Sequence, residues 1–534
     1  MNREQLSDAI GRLDETMIEE AMTACRRRHP WWYAAVAVAA CVCLAVGMVA
    51  VWPQVKPDGD KPPMSGGSTV STTTSDGYVY GGENDGLSGQ PIGSDAPSQT
   101  TTTTTMVDGV APTISPPSSQ PQVLALASPA YPKMTTRPRG SSEGYDEWRA
   151  DMWAQQQQVK GHTDGMTDYY AATMAQFLSG KEGENRVYSP LNVYLALAML
   201  AETAEGNSRT QILNLVGVSD LTALREKCNG LWNGVYLNDG SVTSLLANSL
   251  WLSDGGNWQY NMDTVNALAE HYYASTFEGT MGSAAYNKAL QDWINEQTNG
   301  LLKEQANGLR FDPNTVLALA STIYFNAKWE QGFSERFNEQ GIFHTAQKDV
   351  SCTYMKQTLF KSSVYFGDKF TAISKNLDEG QYKMIFFLPD EGVPVDCLIT
   401  EQQVLSLMQG KTSAVETRYR KVNMTVPKFD VVSDQDLSDG LKKLGVTDIF
   451  DASKSNFGGI VEGQSDSVWV DQIQHAARVT INESYVTAAA YTVASKAGSA
   501  MAEDEIDFTL DRPFLFAITG PENTILFTGV VENP

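Results

Sequence analysis

The sequence predicts an α+β domain, preceded by an apolar anchor and a long polar linker. Three observations carry this. After about residue 164, helix-periodic segments dominate the first third and strand-like runs the last third. The 22 residues Trp31–Trp52 contain no charged side chain. Residues 53–163, between the two, are rich in Pro, Gly, Ser and Thr and show little apolar periodicity.

The 534 residues carry a net charge of −24 and a pI of about 4.6. A nucleic-acid binder needs a basic footprint, so that class is excluded, and the acidity reads as solubility. There are six cysteines: Cys25, Cys41 and Cys43 near the anchor, and Cys228, Cys352 and Cys397 spread singly. Neither a metal-ligand spacing nor a disulfide framework emerges, and the fold is expected to stand without bridges. The five histidines are widely separated, so neither a metal site nor a cofactor is expected.

Residues 4–24 read as a short amphipathic helix, with Leu6, Ile10, Leu13, Met17, Ile18 and Met22 near helical spacing. Arg26, Arg27 and Arg28 follow, and the apolar run after them is long enough to span a bilayer at 1.5 Å per residue. Trp31, Trp32, Tyr33 and Trp52 sit at its ends as interfacial aromatics do, and the arginines place residues 1–30 in the cytoplasm and the rest outside. A cleaved signal peptide would have a shorter charged lead. Val38-Ala39-Ala40-Cys41 resembles a lipoprotein box, but the residues after Cys41 stay apolar. Residues 31–52 are therefore expected to be an uncleaved single-pass anchor. Residues 53–163 would be a disordered tether, holding the next domain on the order of 50–60 Å from the membrane.

In the domain at 164–534, Asp168–Leu178 is helix-like, and Ser189-Pro190 opens an apolar helix over Val193–Ala201. Ala284–Gln297 is a helix closed by Thr298-Asn299-Gly300. Strands are expected at Leu317–Phe325, Met384–Leu388, Val422–Val426, Val468–Ile473 and Ile525–Val531. No Gly-x-Ser-x-Gly elbow occurs, so an enzyme is not expected.

A co-linear series of short motifs runs through this domain. It starts with Val187-Tyr188-Ser189-Pro190, Ala247-Asn248-Ser249-Leu250-Trp251-Leu252, Trp293-Ile294-Asn295 and Ile323-Tyr324-Phe325 with Lys328-Trp329. Val426-Pro427-Lys428-Phe429, Leu444-Gly445-Val446, His475, Glu483, Pro513-Phe514 and Val531-Glu532-Asn533-Pro534 complete it. In this order the region resembles a serpin, and Ile481–Val493 with the following small residues resembles that family's hinge and reactive-centre loop. The resemblance implies three β-sheets and eight or nine helices, with no catalytic residues. It implies a monomer that a serine protease, or secondarily a cysteine protease, attacks and to which it becomes covalently acylated. The cut loop then enters the large sheet as a new strand. A non-inhibitory serpin that only binds or presents something is the alternative. Among members of the family, an anchored and tethered layout points to a bacterial cell.

If Glu483 marks the hinge, strand alternation turns Val486, Ala488, Ala490 and Thr492 inward on insertion, and Tyr485, Thr487, Ala489 and Tyr491 outward. The inward set is small or β-branched and uncharged, as a buried strand requires. Tyr485 replaces a usual Gly and Tyr491 a usual Ala, and both changes would slow insertion. Counting seventeen residues from Glu483, the family's usual spacing, puts the attacked bond at Ser499–Ala500, with bonds at Met501 and Ala502 as alternatives. All suit a small or apolar specificity pocket, elastase-like or subtilisin-like. Lys496 suits a trypsin-like pocket but leaves the inserting segment short. Glu503, Asp504 and Glu505 read as a solvated acidic stretch. In the sheet-opening region, Ser189, Trp329 and His475 hold their usual places. Asn192 stands where Ser is usual and Ser321 where Asn is usual, an exchange expected to preserve the buried hydrogen bonds.

Overall fold

The structure is a computed structural model that describes residues 123–133, 137–138, 144–239, 242–300, 302–377, 381–463, 468–470, 473–483 and 504–534. Residues 1–52, expected to hold a cytoplasmic segment and an anchor, the expected hinge positions 485–492 and the expected bond at 499–502 lie outside the described residues. Among the described residues no helix is long and apolar enough to cross a membrane.

The chain order begins with β1 (Val123–Ala127), α1 (Tyr145–Gln156), α2 (Thr167–Leu178), β2 (Arg186–Tyr188), α3 (Pro190–Thr203), α4 (Gly206–Val216) and α5 (Leu221–Val235). It continues with β3 (Leu237–Asn238), β4 (Val242–Ser253), α6 (Met262–His271), β5 (Ala274–Gly279), α7 (Ala284–Gln297), α8 (Lys303–Gly308) and β6 (Leu317–Ala327). Then come β7 (Glu339–His344), β8 (Asp349–Phe366), β9 (Phe370–Leu377), β10 (Tyr382–Pro389), α9 (Asp396–Ile399) and α10 (Gln402–Met408). The last third is β11 (Glu416–Pro427), β12 (Phe429–Asp436), α11 (Ser438–Lys443), β13 (Gln474–Ile481), β14 (Glu505–Thr509), β15 (Phe514–Thr519) and β16 (Ile525–Val531). The described residues thus hold eleven α-helices, more than the eight or nine expected; α1 lies ahead of the expected domain, and α8, α9, α10 and α11 are short.

Three sheets form, as expected, but their division is informative. A nine-stranded sheet runs β14-β11-β8-β9-β10-β15-β16-β2, with β7 also on β8. A five-stranded sheet joins β1, β5, β4 and β3, with β6 on the other side of β4. β12 and β13 pair only with each other. The edges of β6 and β13 therefore carry no ladder between them among the described residues.

Helix α3 is the post under this divide. Ser189 caps it by accepting from the Asn192 N–H at 3.2 Å, and Pro190 fills the first turn, where a missing N–H does no harm. Nearly every side chain of α3 is buried, so it packs beneath β6 on one side and β16 on another. Helix α7 covers the other face of β4 to β6. Its cap is Ser283, and Trp293 and Tyr286 meet Trp251 and Phe311 in a separate aromatic core. Asn299 and Gly300 stop α7 in the left-handed region.

Part of the expected tether is folded. β1 adds antiparallel to β5, from Val123 opposite Gly279 to Ala127 opposite Thr276. Tyr131 then stacks on Trp232 and Tyr236, both at 5.7 Å, and Arg137 lies over Trp148 at 5.3 Å. The turn after α1 buries Val159 against Gly234 of α5; a Cβ on that glycine would fall 2.5 Å from Val159 Cβ. The low-complexity composition hid this belt because its apolar residues are few and find their partners far along the chain. A second correction concerns Val468–Ile473. Its described residues form no strand; Val470 N–H donates to Ile449 O and Ile473 O accepts from Leu437 N–H, so the segment buttresses α11, and the strand starts one residue later. Cys228 is buried and free, and Cys352 is free.

Candidate functional site

The candidate site is the divide between β6 and β13. Its lower part is a cleft of about 600 Å³ lined by Ala318, Ala320 and Ser321 of β6, His475 and Ala476 of β13, and Asn192 of α3. One short cluster spans it. Ser189 N–H donates to His475 Nε2 at 3.1 Å, tying the α3 cap to β13. Asn192 Nδ2 donates to Ser321 O at 3.0 Å, and Ser321 Oγ donates back to Asn192 Oδ1. Ser321 Oγ also reaches Asn248 Oδ1 at 2.7 Å, and Asn248 Nδ2 donates to Tyr272 O at 2.7 Å. The exchanged pair is therefore in mutual contact. Burial pulls the His475 imidazole down from 6.5 to about 4, so it is neutral near pH 7 and its Nε2 is free to accept.

The upper end closes around Glu483. Its buried carboxylate pairs with Lys428 Nζ at 2.6 Å and accepts from Asn338 Nδ2. Burial pushes this carboxyl up, but the hydrogen bonds from Lys428 and Asn338 outweigh it and hold the group below its usual range. Trp329 Nε1 donates to Asn482 O at 3.0 Å. Behind Trp329 lies buried Lys375, whose Nζ sits 5.4 Å from the Trp329 ring centre and 4.9 Å from that of Phe333. It donates to Gln331 O at 2.6 Å, and burial pulls it down to about 7 against the opposing charge of Glu330.

Ser189, Asn192, Ser321 and His475 are thus brought together, with Trp329 and Glu483 at the upper end. Sequence reasoning assigned no role to Asn248, Asn338, Lys375 or Lys428. Asn248 and Lys428 sit in motifs noted for other reasons; Asn338 and Lys375 carry no local signal.

A family model described as Serpin (serine protease inhibitor) matches residues 166–534. The chain belongs to the serpin family. Serpin-ZX of Arabidopsis thaliana is 28% identical over 372 residues, covering 66% of this chain and 93% of the plant protein. Leukocyte elastase inhibitor A of Mus musculus is 28% identical over 367 residues, covering 66% and 93%. Among solved folds, the thermophilic serpin tengpin in its native state superposes with a TM-score of 0.62 at 21% identity, covering 69% of this chain and 93% of tengpin. In this serpin the belt from Val123 to Val159 lies ahead of the family match.

Proposed function

We propose that this serpin is a suicide-substrate inhibitor of serine proteases with a small or apolar specificity pocket, elastase-like or subtilisin-like. The observation that carries the reading is the unpaired divide between β6 and β13, which Glu483 adjoins at one end. A strand inserted there gains hydrogen-bonding edges on both sides, which the uninserted state lacks. The segment after Glu483 supplies Val486, Ala488, Ala490 and Thr492 to the inward face. Attack at Ser499–Ala500 leaves the protease acylated on Ser499, and insertion carries it away before water completes hydrolysis. The name of the mouse relative, an elastase inhibitor, agrees with the small residues at the bond. In this reading the protein works outside the cell, tethered through Trp31–Trp52, on a bacterial surface.

The full chain in detergent, incubated with pancreatic elastase, should give a complex that survives SDS and a released fragment beginning at Ala500. Complete cleavage with active protease left over, for elastase, subtilisin and trypsin alike, would refute trapping. Tyr485 and Tyr491 favour that second reading, a loop that is cut without being trapped, because both add bulk to a strand that must insert quickly.

A further inference from the structure

A buried amino group sits behind the upper end of the divide. Lys375 lies two residues past Ile373, where the β8–β9 ladder ends, and opposite Met384 of β10. It is only 4% exposed. Its Nζ donates to Gln331 O at 2.6 Å and to Gln357 Oε1 at 2.5 Å. A neutral amine has two N–H groups for these two acceptors. The ammonium has a third, which meets only the ring faces of Trp329 and Phe333.

A core lysine ordinarily carries its head to water or to a carboxylate. Lys375 does neither: among the described residues no carboxylate bonds it. The charged groups on the elements packed around it have other partners. Glu330 accepts from Asn376 Nδ2 at 2.9 Å, and Lys356 of β8 pairs with Glu339. Lys383 of β10 donates to Asn523, and Glu483 is held by Lys428 and Asn338.

What Lys375 gathers instead is one segment, residues 329–333, on the way from β6 to β7. Gln331 supplies its carbonyl, and Trp329 and Phe333 supply their rings. Gln357, bonded to Lys375, also donates to Gly332 O at 3.3 Å, and Leu377 of β9 bridges to Trp329. The same segment touches the end of β13. Trp329 Nε1 donates to Asn482 O at 3.0 Å. A Cβ added at Gly332 would fall 3.2 Å from Glu483 O, so the glycine lets the two backbones approach.

We propose that Lys375 is a positioning residue: its amino group holds segment 329–333 as a clamp on Asn482 and Glu483, and parting of that clamp takes up a proton. The consequence for trapping rests on the reading of the divide as a place for a strand, since a strand entering there must part the clamp first. Closed, the group binds its proton at about 7 against 10.5 ordinarily, because burial opposes the charge. Parting admits water and restores the higher value. Between the two values the open form holds more protons. Opening should therefore become easier as pH falls, about twentyfold from pH 9 to 7.5, and level off below about pH 6. The His475 imidazole titrates below this window.

The test is hydrogen exchange, followed by mass spectrometry between pH 7 and 9, on the uncut full chain in detergent. Wild type is compared with K375M and K375Q at each pH, so that intrinsic exchange rates cancel. Exchange of residues 329–333 and 477–482 in wild type, relative to K375M, should rise about twentyfold from pH 9 to 7.5. K375Q, which keeps a donor and carries no charge, should track K375M and replaces it as the reference if the methionine variant does not fold. A ratio constant within twofold across this range would overturn the proposal. A slope confined to residues 329–333 would also overturn it, because Lys375 would then have no hold on β13. The chain is uncut throughout, so a loop that is later cut without trapping sinks the suicide reading and leaves the clamp standing.

Discussion

The two halves of the sheet that faces the divide are held in opposite ways. The half ending at β6 is deeply tied: β4 pairs along its whole length with β6, α7 and its aromatic core cover one face, and β1 extends the far edge. The half made of β12 and β13 has one internal ladder. It meets the first half largely through side chains: His475 by way of Ser189 on α3, Asn338 on Glu483, and Trp329 on Asn482. A seam of side-chain bonds yields to a competing strand far more readily than a backbone ladder does, because each bond nets only about 1 kcal/mol. On the proposed insertion, the contrast would let one region hold its shape while the other parts.

The largest effect is expected at the upper end of the seam. Glu483→Lys sets a cation beside Lys428 in a buried site and should lower unfolding free energy by about 3–5 kcal/mol in urea titration. A loss below 1 kcal/mol would mean the pair is not a closure. Next is pH. His475 binds its proton at about 4 folded against 6.5 ordinarily, so between these values the unfolded chain holds more protons. Stability should therefore fall as pH falls through that window, by about 3 kcal/mol in all, and His475→Gln should flatten the slope. Asn192→Ala should cost about 2 kcal/mol by removing the Nδ2 donor to Ser321 O and the Oδ1 acceptor of Ser321 Oγ. Asn192→Ser should be rescued by Ser321→Asn; a double variant no better than the sum of its parts would break the exchange account. The smallest effect sharpens the comparison from the other side. Tyr131→Ala should cost about 1–2 kcal/mol. It should do so equally before and after the loop is cut, because the belt packs on the half that does not part. The seam variants should matter mainly before cutting.

Much of this was legible in sequence where a signal is local. Ala284–Gln297 and Ile525–Val531 form a helix and a strand with the expected bounds, and Ser189-Pro190 opens its helix. Ser189, Asn192, Ser321 and His475 were named by resemblance, and the fold brings them together. What local patterns missed is long-range. β1 looked like tether because its partner β5 lies some 150 residues away, a pairing no periodicity records. Val468–Ile473 reads as a strand, but its described residues spend their backbone bonds on Ile449 and on Leu437 at the start of α11. Asn338 and Lys375 matter only through neighbours from other strands.

The central claim is that the divide between β6 and β13 is a place for a strand this protein has yet to insert. The most direct measurement is the melting temperature of the full chain before and after its loop is nicked between Ala497 and Met501 by any protease. Insertion predicts a rise of well over 10 °C for the nicked chain, because a new central strand adds a ladder on each side. A nicked chain that melts at or below the intact temperature would contradict the account.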